Sequence, residues 1–324
     1  MEHRRFGRTD LSVPAITFGG GWVGGVLIHG GQETANAALD LAMDAGMDWI
    51  DGAADYGGGV SETVIGKWLA TRPANSRPGL TSKFRLDTEA GDYRGQMFRI
   101  MEQSFNSLGV EKLPVIMLHN PIVEGETGGG KLSVRDALAV RDDMEALKDQ
   151  GLCDWLGMTG LGDGPAIVEA LDSDRFDVTQ VYYNMLNPTA GRTLSPWNSN
   201  NFDGVLAACA RHDIGVMGIR IFAGGHLASA ERHGREIPVN DNTDNTQEEA
   251  RAREIWAHHD AADGTPAQTA LRFGLAEPRV STVVIGLAEL DHLRLAIEAV
   301  EKGPLPADRI AAYAQAWSTL PYVE

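Results

Sequence analysis

The sequence predicts an α/β chain built as a single TIM-type (β/α)8 barrel with an N-terminal β-hairpin, one domain spanning residues 1–324. Three observations carry this. Short apolar runs alternate with longer amphipathic stretches along the whole chain, the runs number eight, and no second domain or short repeat is visible. Such alternation implies parallel strands joined by right-handed crossovers. Eight units at this length fit a closed barrel better than a doubly wound open sheet.

The first segment, RRFGRTDLSVP, reads as a small hairpin closing the barrel bottom. Strands follow at 15–18 (AITF), 47–51 (MDWID), 80–84 (LTSKF) and 114–119 (PVIMLH), then at 154–159 (DWLGMT), 178–184 (VTQVYYN), 214–219 (IGVMGI) and 281–286 (STVVIG). Between the early strands ETANAALDLAMDAG, SETVIGKWLATR, GQMFRIMEQSFNSLG and VRDALAVRDDMEALKDQG have helical period, the last closed by Gly151 as a C-cap signal. NFDGVLAACARH, TPAQTALRFGLAEP and ELDHLRLAIEAVEK complete the helices, and 220–246, rich in Gly, His, Asn and Asp, reads as a long loop near the site.

Composition bounds the function. Hydrophobic residues at 43% and charged residues at 23% are a globular balance. A net charge of −17 argues against nucleic acid and anionic membranes, which need a basic footprint. Cys153 and Cys209 are too few for a disulfide framework and suit a reducing compartment. With no signal-type h-region and no run of 18 apolar residues, a cytoplasmic location is expected. His258 and His259 have no third ligand nearby, so no metal is assigned.

In such a barrel the chemistry sits at the C-terminal ends of the strands. Strand two ends in Asp51 and places Tyr56 in the next loop; strand three holds Lys83; strand four ends in His119. A hydride delivered to a carbonyl leaves a developing alkoxide that must take a proton. A tyrosine can supply it if its pKa, about 10 when unperturbed, is lowered. A lysine ammonium beside the phenol favours the phenolate, an aspartate keeps that lysine charged and oriented, and a histidine orients the substrate oxygen. Asp51, Tyr56, Lys83 and His119 fit these roles. The bland readings are a helix N-cap for Asp51, a core tyrosine and a satisfied core histidine; for Lys83 the rival is a Schiff-base lysine of an aldolase. The segment GGGWVG at 19–24 satisfies G-x-G-x-x-G, but no helix opens at once behind it, so it reads as a loop beside the pocket rather than a Rossmann phosphate turn.

WIDGAADYG–SE, TSK and LHN, with FGRTDLSVPAITFGGGW, QVYYN, GVMGIRIFAGGHL and TPAQTALRFGLAEPRVSTVVIGLAELDHL, resemble the aldo-keto reductase family nearly end to end. The resemblance implies a TIM barrel binding an extended nicotinamide dinucleotide, NAD or NADP, without a Rossmann domain. It implies Trp22 in the substrate pocket and Gln180 on the nicotinamide carboxamide. Thr159 and Gly160 stand where the family shows Ser-Asn, so only the Thr159 hydroxyl remains for the cofactor. Ile219 replaces the stacking aromatic and is followed by Arg220, Ile221 and Phe222; Arg220 suits pyrophosphate oxygens. After strand eight, Gly286 and Leu287 replace the Lys-Ser of the 2′-phosphate clamp and His292 replaces its Arg. Glu289 and Asp291 would repel that phosphate but accept from a ribose hydroxyl, which favours NAD, while Arg294 keeps NADP open. The sugar-oxidising branch is the nearest likeness, with a nicotinamide-binding regulatory subunit of little turnover as the alternative. The partner implied is a small carbonyl or alcohol; the pocket walls, at 24–32, 120–132 and 185–201, leave its identity, the reaction direction and the oligomeric state open.

Overall fold

Eight parallel strands close on themselves in chain order in the computed structural model, which describes residues 1–197, 199–229, 234–238 and 243–320. They are β1 (Ile16–Gly19), β2 (Trp49–Asp51), β3 (Gly79–Phe84), β4 (Leu113–Leu118), β5 (Cys153–Gly160), β6 (Val178–Tyr182), β7 (Gly215–Ile219) and β8 (Thr282–Gly286). β8 pairs with β1 through Val283↔Ile16 to Gly286↔Gly19, which completes the ring. The predicted strands all form, with ends shifted by one or two residues where the last ladder bond falls short of the apolar run.

The helices lie outside: α1 (Gly31–Asp44), α2 (Val60–Leu69), α3 (Tyr93–Leu108), α4 (Val134–Asp149), α5 (Gly164–Asp172), α6 (Val205–Arg211), α7 (Asn245–Trp256), α8 (Pro266–Leu275), α9 (Leu290–Lys302) and α10 (Ala307–Ala314). Local chemistry starts and stops them. Ser133 Oγ accepts from Asp136 N at the head of α4, and Gly151, at φ +72°, ends the turn behind it as its position suggested. Thr265 and Gln268 form a reciprocal capping box ahead of α8, with Pro266 at its first position. Four helices were not predicted, the shortest of them the single turn Val26–His29 in the loop after β1. α5 opens on Gly164-Pro165, which reads as a break but is a favourable first turn. α7 is highly charged with little apolar stripe, yet Asp244 and Gln247 cap it reciprocally. α10 follows directly on Pro306, its N-cap. The loop expected at 220–246 is described at 220–229, 234–238 and 243–246; a single helical turn at Ala223–Gly225 interrupts it, and 230–233 and 239–242 lie outside the described residues.

The hairpin forms as expected, His3–Arg5 against Ser12–Pro14. Its turn carries Phe6 beneath the barrel, fully buried and edge-on to Trp49 at 6.0 Å, in a cluster with Val13, Val115, Met117, Val178 and Met217. This plug fills the barrel interior from below, so only the upper end is left for polar side chains. Among the described residues no helix is long and apolar enough to cross a membrane.

Candidate active site

The strand tops bring the predicted residues together. Lys83, on an inward position of β3 and 0% exposed, donates through Nζ to Asp51 Oδ2 at 2.9 Å, to the Gly52 carbonyl at 2.6 Å and to Tyr56 Oη at 3.2 Å. Its ammonium also stands 4.7 Å from the centre of the Tyr56 ring. Backbone bonds continue the ladder past the strand ends: Gly52 N to Thr81 O, Ala54 N to Lys83 O, and His119 N to Phe84 O. Tyr56 and His119 are therefore placed by main chain, and their rings meet edge to face at 5.7 Å.

The electrostatics follow from burial. Burial alone would pull the Lys83 ammonium down, but Asp51 and Tyr56 beside it more than offset this, and its pKa lies above the ordinary lysine value. Burial pushes the Tyr56 phenol up, and Lys83 only partly opposes it. The expected lowering of the phenol is thus corrected: its pKa lies above the ordinary tyrosine value, because desolvation of the phenolate outweighs one nearby cation whose charge Asp51 already balances. His119 is pulled down by burial and by Lys83 and Arg85, against Asp55, which raises it. On the outward face of the same strand, Ser82 donates to the buried Glu62 carboxyl at 2.6 Å, whose pKa burial raises.

Residues expected to touch a dinucleotide line the rim of β5 to β8. Gln180 is buried on β6, but its Nε2 donates to Asp51 Oδ1 at 2.8 Å, so its amide nitrogen serves the tetrad and its carbonyl oxygen is what remains for a ligand. Thr159 is fully buried, its hydroxyl donating to the Leu118 carbonyl at 3.3 Å. Arg220 is half-buried at the end of β7 in the left-handed region, φ +59°, a conformation that costs about 1 to 3 kcal/mol for a non-glycine residue; Asn184 holds it by donating to the Arg220 carbonyl. Phe222 is half-buried against the outer core. Beyond β8, Gly286 and Glu289 are exposed and His292 is half-buried in the first turn of α9. Arg294 pairs with Asp291 on the exposed face of α9.

A bare backbone cradle lies between the loops after β1 and β8. A Cβ on Gly24 would meet Leu287 N at 2.2 Å, so only glycine at that position lets the two backbones meet, while one on Gly286 would make an ordinary contact with Gly24 N at 3.6 Å. Arg235 lies across it, donating to the Val23 and Gly24 carbonyls at 3.4 Å each. Main-chain N–H groups, a side-chain-free surface and a guanidinium are what an extended pyrophosphate requires. Trp22 stands at the mouth, 45% exposed, with neighbouring Gly21 against the Tyr56 ring. Asn120, next to His119, is a structural lock: it bonds both backbone groups of Leu86 and the Gly130 carbonyl, joining two pocket loops.

Sequence reasoning missed Asp55, Arg85 and Arg235. The first two flank Tyr56 and Lys83 and meet at the pocket mouth, Arg85 Nε to Asp55 Oδ2 at 3.0 Å. Their signal was adjacency to the tetrad; Arg235 gave none.

A profile of the aldo/keto reductase family matches residues 15–318. The chain belongs to that family. It is an NAD(P)-dependent oxidoreductase of the aldo-keto reductase type, with relatives among sugar dehydrogenases. It is 26% identical over 304 residues to D-threo-aldose 1-dehydrogenase from a Pseudomonas species, covering 85% of this chain and 86% of that protein. It is 24% identical over 311 residues to L-galactose dehydrogenase from Arabidopsis thaliana, covering 93% and 88%. Among solved structures, a holo-form aldo-keto reductase from Bacillus halodurans superposes with a TM-score of 0.75 at 19% identity, over 98% of this chain and 96% of that one, a likeness of fold.

Proposed function

We propose that this reductase interconverts a hydroxyl and a carbonyl on a neutral, sugar-like substrate with NAD as the preferred dinucleotide. The observation that carries it is the triple hydrogen bonding of Lys83 Nζ to Asp51, Gly52 and Tyr56 beneath the pocket mouth. The dinucleotide, when bound, supplies the hydride acceptor or donor. Tyr56 Oη, neutral at rest, gives its proton to the carbonyl oxygen in reduction; in oxidation it first releases that proton to solvent and, as the phenolate, takes one from the alcohol. Lys83 offsets the charge left on the phenolate, Asp51 keeps the ammonium in place, and His119 orients the substrate oxygen. Gln180, Thr159, Arg220, Phe222 and the Gly24–Gly286 cradle are the residues that would hold the dinucleotide, with Trp22 against the substrate. Exposed Glu289, in place of a basic clamp, supports NAD over NADP by repelling a 2′-phosphate. The names of the two sugar dehydrogenases support the substrate class, and the free, buried Cys153 and Cys209 suit the cytoplasm.

A Schiff-base aldolase needs a lysine with a free lone pair; Lys83 is a buried ammonium with three acceptors, which argues against it. Turnover of a panel of aldoses, aliphatic aldehydes and aromatic aldehydes, followed by nicotinamide absorbance with both dinucleotides in both directions, tests the proposal. Activity on sugars with NAD is expected. Tight dinucleotide binding with no turnover on any member would overturn it in favour of a regulatory subunit.

A further inference from the structure

The roles assigned to the tetrad leave one atom unexplained. His119 Nδ1 is buried and makes no hydrogen bond of proper direction. Asp55 Oδ1 stands 3.3 Å from it, within ion-pair range though off the N–H line. The other oxygen of the same carboxylate is held by Arg85 Nε. The approach is built in by backbone: Ala54 N bonds to Lys83 O and His119 N to Phe84 O, so residues 55 and 119 converge from neighbouring strand tops, while the Tyr56 ring, edge-on, sets the plane of the imidazole. Burial pushes the Asp55 carboxyl up, but His119 and Arg85 more than offset this and hold it well below the usual carboxylate range.

A neutral imidazole carries one proton, and the group facing one nitrogen decides what the other offers. A carboxylate at Nδ1 draws the proton to that side and leaves Nε2 with its lone pair. We propose that Asp55 is a positioning residue that fixes His119 as the Nδ1–H tautomer, so that Nε2 accepts the proton of a substrate hydroxyl adjoining the reacting carbon, while the proton of the reacting oxygen is exchanged with Tyr56. This rests on the reading of His119 as the group that orients substrate, and it deepens it: the site selects a ligand by a hydroxyl it can donate, as a polyol or sugar does.

Nitrogen-15 NMR of the full chain with labelled histidine, His119 assigned by its loss in His119→Asn, reads the tautomer directly. Above the pH at which His119 is neutral, the protonated, pyrrole-type nitrogen is expected at Nδ1, and Asp55→Leu is expected to move the proton to Nε2. In kinetics, Asp55→Leu is expected to lower kcat/KM about tenfold in the native background and to add no loss in the His119→Asn background, the non-additivity of groups acting through one another. A residue of merely structural value would give additive losses. Protonation at Nε2 in the native protein, or additive losses, overturns the proposal. Neither result depends on Tyr56, whose role fails or stands by its own variant.

Discussion

Gln180 Nε2 donates to Asp51 Oδ1 at 2.8 Å, so two residues 129 positions apart, on strands at opposite sides of the barrel, share the hydrogen bond that fixes the tetrad carboxylate. Asp51 is thereby held from both walls, by Lys83 through one oxygen and by Gln180 through the other. Gln180→Met keeps the volume and removes the donor, leaving a buried carboxylate oxygen without its partner. The expected cost is about 1 to 3 kcal/mol of unfolding free energy by urea denaturation. An unchanged midpoint and slope would mean that water replaces the amide.

Tyr56→Phe removes the exchangeable proton and little else, since the ring keeps its packing against His119 and Lys83. A fall of about 100- to 10,000-fold in kcat is expected, with the dinucleotide dissociation constant unchanged by fluorescence titration. Near-normal turnover would remove Tyr56 from the chemistry.

The buried histidine makes stability depend on pH with a definite sign. Its folded pKa lies below the unfolded value, so between the two the unfolded chain binds a proton that the folded one does not. The contribution of His119 is therefore fully present above about pH 6.5 and declines as pH falls toward the folded pKa. Unfolding free energies of the native protein and His119→Gln, compared across this window, should converge on acidification. Curves that stay parallel would refute the assignment of the shift to this residue.

Dinucleotide choice should respond to charge beyond β8. Gly286 is exposed and has room for a side chain, and Glu289 is exposed nearby. Gly286→Lys combined with Glu289→Gln is expected to raise kcat/KM with NADP relative to NAD by about tenfold, an effect that shrinks as salt rises because the site is solvent-facing. Arg235→Ala should weaken both dinucleotides alike, since a pyrophosphate contact does not read the ribose. A loss confined to one of them would place Arg235 elsewhere.

Phe6 closes the barrel from below, and its loss should be felt in stability rather than in catalysis. Phe6→Ala leaves a cavity beside Trp49 and is expected to cost about 3 to 5 kcal/mol, with KM for substrate unchanged because the tetrad lies at the other end.

The barrel, the hairpin beneath it and the four residues at its upper rim were legible along the chain, because strand and helix periods and the polar residue closing each strand are local signals. The sequence did not reveal α7, whose charged surface lacks an apolar stripe, nor α5, whose Gly-Pro start imitates a turn. The resemblance assigned Gln180 to a ligand, while the fold turns its amide nitrogen to Asp51. The sequence suggested a lowered Tyr56, while in the half-buried pocket the desolvation of that phenol outweighs the pull of Lys83. Asp55 beside His119 and Arg235 beside Gly24 exist only as pairs across space. Which partner a side chain meets, and how far water is excluded around it, are decided by the closing of the ring, and no pattern along the chain encodes them.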